Sequence, residues 1–197
     1  MKKSPRTNPQ HILERATPLF ARHGYDGVSM RDVAAAVGVT PAALYHHFKD
    51  KDELYIQAVN HVFGKKFSDA KAIMADNDEP VKRLETFITW FVRVLNKDKD
   101  FQKLLQWVML DSDPRRLQKL TKNTFQELFA AIQKLGESFK QQYDPHLLAV
   151  SIIGLVLYHF ESSAVRKKLP GSRATHDQAK TITLHITALL ENGLLTH

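Results

Sequence analysis

The chain has 197 residues, 43% of them apolar and 25% charged, which suits a small domain joined to a medium-sized one in a soluble globular protein. It contains no cysteine, which excludes a disulfide framework, a thiol nucleophile and cysteine-based zinc sites. Its net charge of +7 is uneven: Lys+Arg against Asp+Glu run 7 to 4 over residues 1–50, 9 to 9 over 51–100, 7 to 5 over 101–150 and 5 to 3 over 151–197. The basic front suits a polyanion such as DNA.

In chain order, "MKKSPRTNPQ" carries basic residues but no apolar stretch follows it, so a secretory signal is not expected. Proline after a capping side chain marks helix starts at Asn8-Pro9, Thr40-Pro41, Asp113-Pro114 and Asp144-Pro145. Ser29 with Asp32, and Asp50 with Glu53, resemble capping boxes. Gly24, Gly38 and Gly193 stand where helices should stop. These signals predict helices over 9–23, 30–37, 41–48, 51–75, 80–96, 101–110, 114–140, 145–168 and 175–192, and no sheet. The most apolar stretch, Leu147 to Phe160, is too short to span roughly 30 Å of bilayer, so it reads as a buried helix and no membrane association is expected.

Residues 29–48 form a helix-turn-helix pattern hinged at Gly38. Ala34 is small enough for a close helix crossing. Val33, Val37, Val39, Leu44 and Phe48 supply contacts to a first-helix stripe of Ile12, Ala16, Leu19 and Phe20. With Leu44 and Phe48 inward, Ala42, Ala43 and His46 point outward, and Tyr45 and His47 flank them. Small outward residues let a helix approach base edges, while Tyr45, His47 and Lys51 have donors for phosphate oxygens. The helix start at Thr40, with Pro41 in its first turn, adds a positive dipole end. Gly-linked short helices also occur in ordinary all-helical cores. Adjacent His46 and His47 point about 100° apart and do not suit a shared metal ion.

The stretch "LFARHGYDGVSMRDVAAAVGVTPAALYHHFKDKDELY", Leu19 to Tyr55, closely resembles the N-terminal domain of TetR/AcrR-type transcriptional regulators. The likeness lies in the "F…HGY" end of the first helix, the "S-x-x-x-V-A" helix, and "G-V-T-x-x-x-L-Y-x-H-F-x-x-K-x-x-L". It implies a cytoplasmic homodimer that binds a partly palindromic double-stranded operator, usually represses, and is released by a small molecule. On this likeness Arg31, Thr40, Ala42, Ala43 and His46 meet base edges, and Ser29, Tyr45, His47 and Lys51 hold phosphates. A two-fold dimer would set two such helices roughly 34–36 Å apart.

The implied architecture is all-α: a three-helix helix-turn-helix domain over 1–50 and a helical ligand-binding and dimerisation domain over 51–197. Helix 51–75 begins directly after the reading helix, so motion of its far end is expected to swing the reader. Phe63, Phe67, Phe87, Trp90, Phe91, Leu104, Trp107, Val108, Phe125 and Phe129 are candidates to line an effector cavity, Trp90 and Trp107 foremost because an indole N–H needs a partner. Helix 145–168 is apolar nearly all round and should be buried on two sides, one against another subunit. Ile152, Ile153 and Val156, with Ile182, Ile186, Leu189 and Leu190 of the last helix, are the expected dimer interface. No catalytic order, cofactor motif or metal cluster stands out, so neither enzyme nor cofactor is expected. The competing reading is an effector-independent architectural or protein-recruiting DNA binder of the same fold.

Overall fold

The computed structural model describes residues 8–139 and 143–195, and these contain helices and no strand. In chain order they are α1 (Pro9–His23), α2 (Met30–Val37), α3 (Pro41–Tyr45), α4 (Lys51–Met74), α5 (Pro80–Lys97), α6 (Lys99–Met109) and α7 (Pro114–Leu120). A π-helical turn, Thr121–Phe125, follows, then α8 (Gln126–Gly136), α9 (Pro145–Glu161) and the short α10 (Ser163–Arg166). A 3₁₀ turn, Ala174–Asp177, precedes α11 (Ala179–Leu195). No helix among the described residues is long and apolar enough to cross a membrane.

The four starts expected from a capping residue before proline carry their side-chain caps, whereas α5 starts at Pro80 without one. Asn8 accepts from the Gln10 N–H, Asp113 from those of Arg115 and Arg116, and Asp144 from that of Leu147. The box at Asp50 is displaced by one residue: the Glu53 N–H donates to Asp50 at 2.8 Å, but Glu53 accepts in return from Lys49 at 2.7 Å.

Four predicted elements change. The helix expected over 114–140 breaks at Thr121–Phe125, where Thr and Asn side chains compete with the backbone ladder; the Thr124 hydroxyl donates to the Asn60 amide oxygen. The helix expected over 145–168 ends at Glu161, where the Ser162 hydroxyl takes the Tyr158 carbonyl at 2.6 Å. Gly193 does not stop α11, because a single glycine weakens a helix by only about 1 kcal/mol. The reading helix is also shorter than 41–48: the N–H groups of His47 and Phe48 converge on the Leu44 carbonyl, both at 2.9 Å, and close it after Tyr45.

The chain packs as two compact units. One comprises the chain up to Lys65 with Asp100–Phe125; the other comprises Lys66–Lys99 with the chain from Gln126 onward. This packing division falls inside α4, between Lys65 and Lys66, and so differs from the expected boundary at 50/51; α6 and α7 pack in one unit with α1–α3. In the first unit Ile12, Ala16, Phe20, Val33, Leu44, Phe48, Leu54 and Tyr55 are buried. In the second, α5 packs against α11 and α9, and α8 against α9, over Leu84, Ile88, Val92, Ile132, Ile152 and Val156.

Candidate nucleic-acid interface

The interface begins with how α2 and α3 are held. Ser29 opens α2 with a capping box: its hydroxyl accepts from the Asp32 N–H at 3.2 Å and donates to the Asp32 carboxylate at 2.6 Å, while its own N–H donates to that carboxylate at 2.8 Å. The bonds from Ser29 hold the Asp32 carboxyl below the usual carboxylate range. They also commit the one Ser29 hydroxyl proton, so Ser29 is a poorer phosphate donor than its type suggests.

Gly38 ends α2 at φ +79, where its N–H and that of Val39 both reach the Ala34 carbonyl, at 2.9 and 3.0 Å. Two residues later the Thr40 hydroxyl oxygen accepts from the Ala43 N–H at 3.3 Å and starts α3. Its own proton stays available to a phosphate or base. Leu44 and Phe48 are 0% and 1% exposed and fasten α3 to the unit's core. Outside lie Pro41, Ala42, Tyr45, His46 and His47, all exposed, with Ala43 half-buried and Arg31 exposed on α2. The expected base-edge residues of α3, and Arg31 on the α2 helix packed against it, are thus exposed or half-buried.

Lys51 is held differently. Its ammonium donates to the Tyr25 carbonyl at 3.1 Å and lies 4.0 Å from the centre of the Tyr25 ring. The Tyr25 hydroxyl donates to Asp52, and burial followed by that bond pushes the phenol up to about 12. The Arg116 guanidinium sits 3.7 Å from the same ring centre, donates to Asp52 at 3.3 Å, and grips Asp111 with two N–H groups. Burial pushes the Asp111 carboxyl up, but the bonds from Arg116 and from the Asp113 N–H outweigh it and leave it below its usual range. The bonds to Asp111 push the guanidinium up despite its desolvation. Tyr25, Asp52, Asp111 and Arg116 were not legible as a group, since 64 positions separate Arg116 from Asp52.

Residues 12–58 match the family described as bacterial regulatory proteins, tetR family. Over these residues the chain carries a TetR-type helix-turn-helix domain. It is a DNA-binding transcriptional regulator. Among its relatives, the biofilm operon icaADBC negative transcriptional regulator IcaR of Staphylococcus epidermidis is 29% identical over 154 residues, 77% of this chain and 79% of that one. Two solved structures share the fold: FadR of Bacillus subtilis with stearoyl-CoA (TM-score 0.78, 16% identity, 95% of this chain and 100% of that one) and AibR with isovaleryl coenzyme A and operator DNA (TM-score 0.71, 21% identity, 92% and 96%).

The TetR-type effector candidates divide between the two units. In the first, the Phe63 ring lies 4.5 Å from Phe101 and 5.6 Å from Phe125, with Leu104 and Val108 also buried. Trp107 finds its partner elsewhere than in a cavity: its indole N–H donates to the Ala21 carbonyl at 3.2 Å and its ring covers Gly24. A Cβ on Gly24 would stand 2.9 Å from that ring, and φ is +69, so glycine is needed there twice over. In the second unit Phe87, Trp90 and Phe91 stack at 5.7 to 5.9 Å, Phe67 is buried, and Phe129 lies edge-on to His146 at 5.1 Å. None of the ten candidates lines the second unit's groove of about 780 Å³, whose walls are Leu155, Tyr158, His159, Val165, Ile182, Ile186 and their neighbours.

The expected dimer residues differ in exposure within the single chain. Ile152, Val156, Ile182, Ile186 and Leu190 are buried inside their own unit, Ile153 is half-buried, and only Leu189 is exposed. A helix apolar all round offers no contrast by which to choose its inward side, and the buried residues of α9 face its own neighbours. The apolar surface left uncovered is Leu147, Val150, Leu155 and Tyr158 on α9, with Leu184 and Leu189 on α11.

Proposed function

We propose that this protein is a cytoplasmic repressor that binds a partly palindromic operator as a homodimer and leaves it on binding a small, largely apolar effector. The division of labour is residues 1–50 for DNA and 51–197 for effector and dimer, with no catalytic step. The observation that carries the reading is the α3 surface. Its two buried anchors fix the helix, and every exposed position holds a small side chain, a donor or a flat ring.

In this reading Ala42, Ala43 and His46, with Arg31 and Thr40, meet base edges in a major groove, and Tyr45, His47 and Lys51 hold phosphates. The second copy docks on the exposed stripe of Leu147, Val150, Leu155 and Tyr158. The effector class is an acyl thioester. Support comes from the fold shared with FadR and AibR, whose structures hold acyl-CoA molecules, and from the large aromatic residues buried in both units.

The test selects bound duplexes from a random DNA pool and then titrates the selected operator with stearoyl-CoA and isovaleryl-CoA. Tyr45→Ala should weaken all duplexes alike and lower the salt slope by about 1. His46→Ala should change preference at particular base pairs. Operator binding that no acyl-CoA alters, together with recruitment of a protein partner, would replace the effector reading.

A further inference from the structure

We infer that Arg116 is a positioning residue for DNA reading: from α7 it clamps Tyr25 and Asp52, and through them it sets the placement of Lys51 and of the corner between α1 and α2. The inference rests on the operator-binding reading above. Its ground is how completely the guanidinium is used. Nε and Nη2 donate to Asp111, Nη1 donates to Asp52, and the flat face lies over the Tyr25 ring. Arg116 is only 9% exposed and the Asp111 side chain 4%.

A buried ion pair is a costly way to pack a helix, since apolar residues of similar volume do it as well or better. What a bidentate Arg–carboxylate pair adds is direction, because its planar fork tolerates little rotation. That direction is passed on. Asp52 accepts from both Arg116 and the Tyr25 hydroxyl, so α7 and the corner after α1 share one carboxylate oxygen at the start of α4. The Tyr25 carbonyl then accepts from Lys51, whose ammonium also faces the Tyr25 ring. Below this, the Tyr25 ring meets Tyr55 edge-on at 5.3 Å, and Tyr55 meets Phe20 of α1 at 5.0 Å. Trp107 of α6 secures the same corner at a second point, by its bond to Ala21 and its cover over Gly24.

Lys51, the proposed phosphate contact, is thus held by contacts that end on a residue far from it along the chain. α7 leads directly into the π-helical turn, whose Phe125 rests against Phe63 and whose Thr124 bonds Asn60. Within this unit, a change at those aromatic rings lies one short helix away from Arg116.

The full-length protein and its selected operator supply the test. Dissociation constants are measured across a salt series, with the active fraction fixed by stoichiometric titration. Arg116→Met should weaken the operator about tenfold with an unchanged salt slope, and Arg116→Lys should recover part of the loss. Lys51→Ala should instead lower the slope by about 1. Asp52→Asn, which leaves the Arg116–Asp111 pair intact, should act in the same direction as Arg116→Met, and the double variant should lose less than the product of the two. Amide exchange over residues 21–28 and 49–54 should rise in both variants.

An unchanged active-fraction affinity in Arg116→Met overturns the inference, and so does a slope that falls by about 1, which would make Arg116 a phosphate contact. If Arg116→Met does not fold, Asp52→Asn decides alone, and an unchanged affinity there overturns it. If the unaltered protein binds no duplex, the operator reading fails instead. The clamp is then judged by amide exchange, and unchanged exchange in the variants overturns it.

Discussion

The helices α3 and α9 are built on opposite plans. α3 has five residues, a side-chain cap at its start and one buried anchor, Leu44, with Phe48 just beyond its end. α9 has seventeen residues and is apolar on almost every side. In α3 the single large aliphatic residue, Leu44, leaves only one inward face, so whatever points out can be named from spacing. In α9 the abundance of apolar residues hides the inward face, because any rotation about its axis would bury leucine, isoleucine or valine. A helix is readable when its pattern has contrast, whatever its length.

The largest expected effect breaks the first half of that contrast. Leu44→Ala should cost about 2–5 kcal/mol of stability, because it empties a fully buried site. Leu147→Ala on α9, where 64% of the residue is exposed, should stay within about 0.5 kcal/mol. Urea unfolding followed by circular dichroism at low protein concentration measures both, and equal losses would erase the distinction.

Next in size is association. Tyr158, 71% exposed on α9, should tolerate Asp in a folded monomer but not in a dimer face. Tyr158→Asp should therefore shift sedimentation from dimer to monomer at micromolar concentration with little change in helical content. A variant that remains dimeric would move the interface off this stripe.

A glycine pair sharpens how the ends of helices are set. A Cβ would meet nothing within 4 Å at either Gly38 or Gly64, so space does not distinguish them. Gly38→Ala should cost about 1 kcal/mol because φ is +79, whereas Gly64→Ala, inside α4, should stabilise by about 0.5–1 kcal/mol. The sign of each change in thermal midpoint is the readout.

The smallest effect concerns pH in the second unit. Burial, with the Arg166 guanidinium second, holds the His159 imidazole below its usual range, and its Nε2 lies 3.0 Å from the His176 carbonyl. The unfolded chain therefore takes up this proton first as pH falls. The stabilising contribution is complete above about pH 6.5 and is lost as pH drops through the lowered folded value. His159→Gln should flatten that part of the midpoint-against-pH curve; an unaltered curve would place the titration elsewhere.

Several local features were legible before any coordinates. The caps at Asn8, Ser29, Thr40, Asp113 and Asp144 depend on residues one to three positions away, and each forms as its spacing implies. The burial of Leu44 and Phe48 and the exposure of Ala42, Tyr45 and His46 follow in the same way from helical geometry. Trp107 shows the limit of such reasoning. Its need for a hydrogen-bond partner was foreseeable, but the partner is the Ala21 carbonyl, 86 positions away. The π-helical turn at Thr121–Phe125 likewise depends on where Asn60 and Phe63 stand.

The order of residues alone settled an all-helical chain, the caps that begin its helices and the outward face of α3, because each depends on neighbours within a turn or two. Tertiary packing alone decided which side of α9 is covered, where Trp107 spends its N–H, and that Arg116 grips Asp52 and Tyr25. Those contacts join residues far apart along the chain, and no local periodicity carries the distance between them.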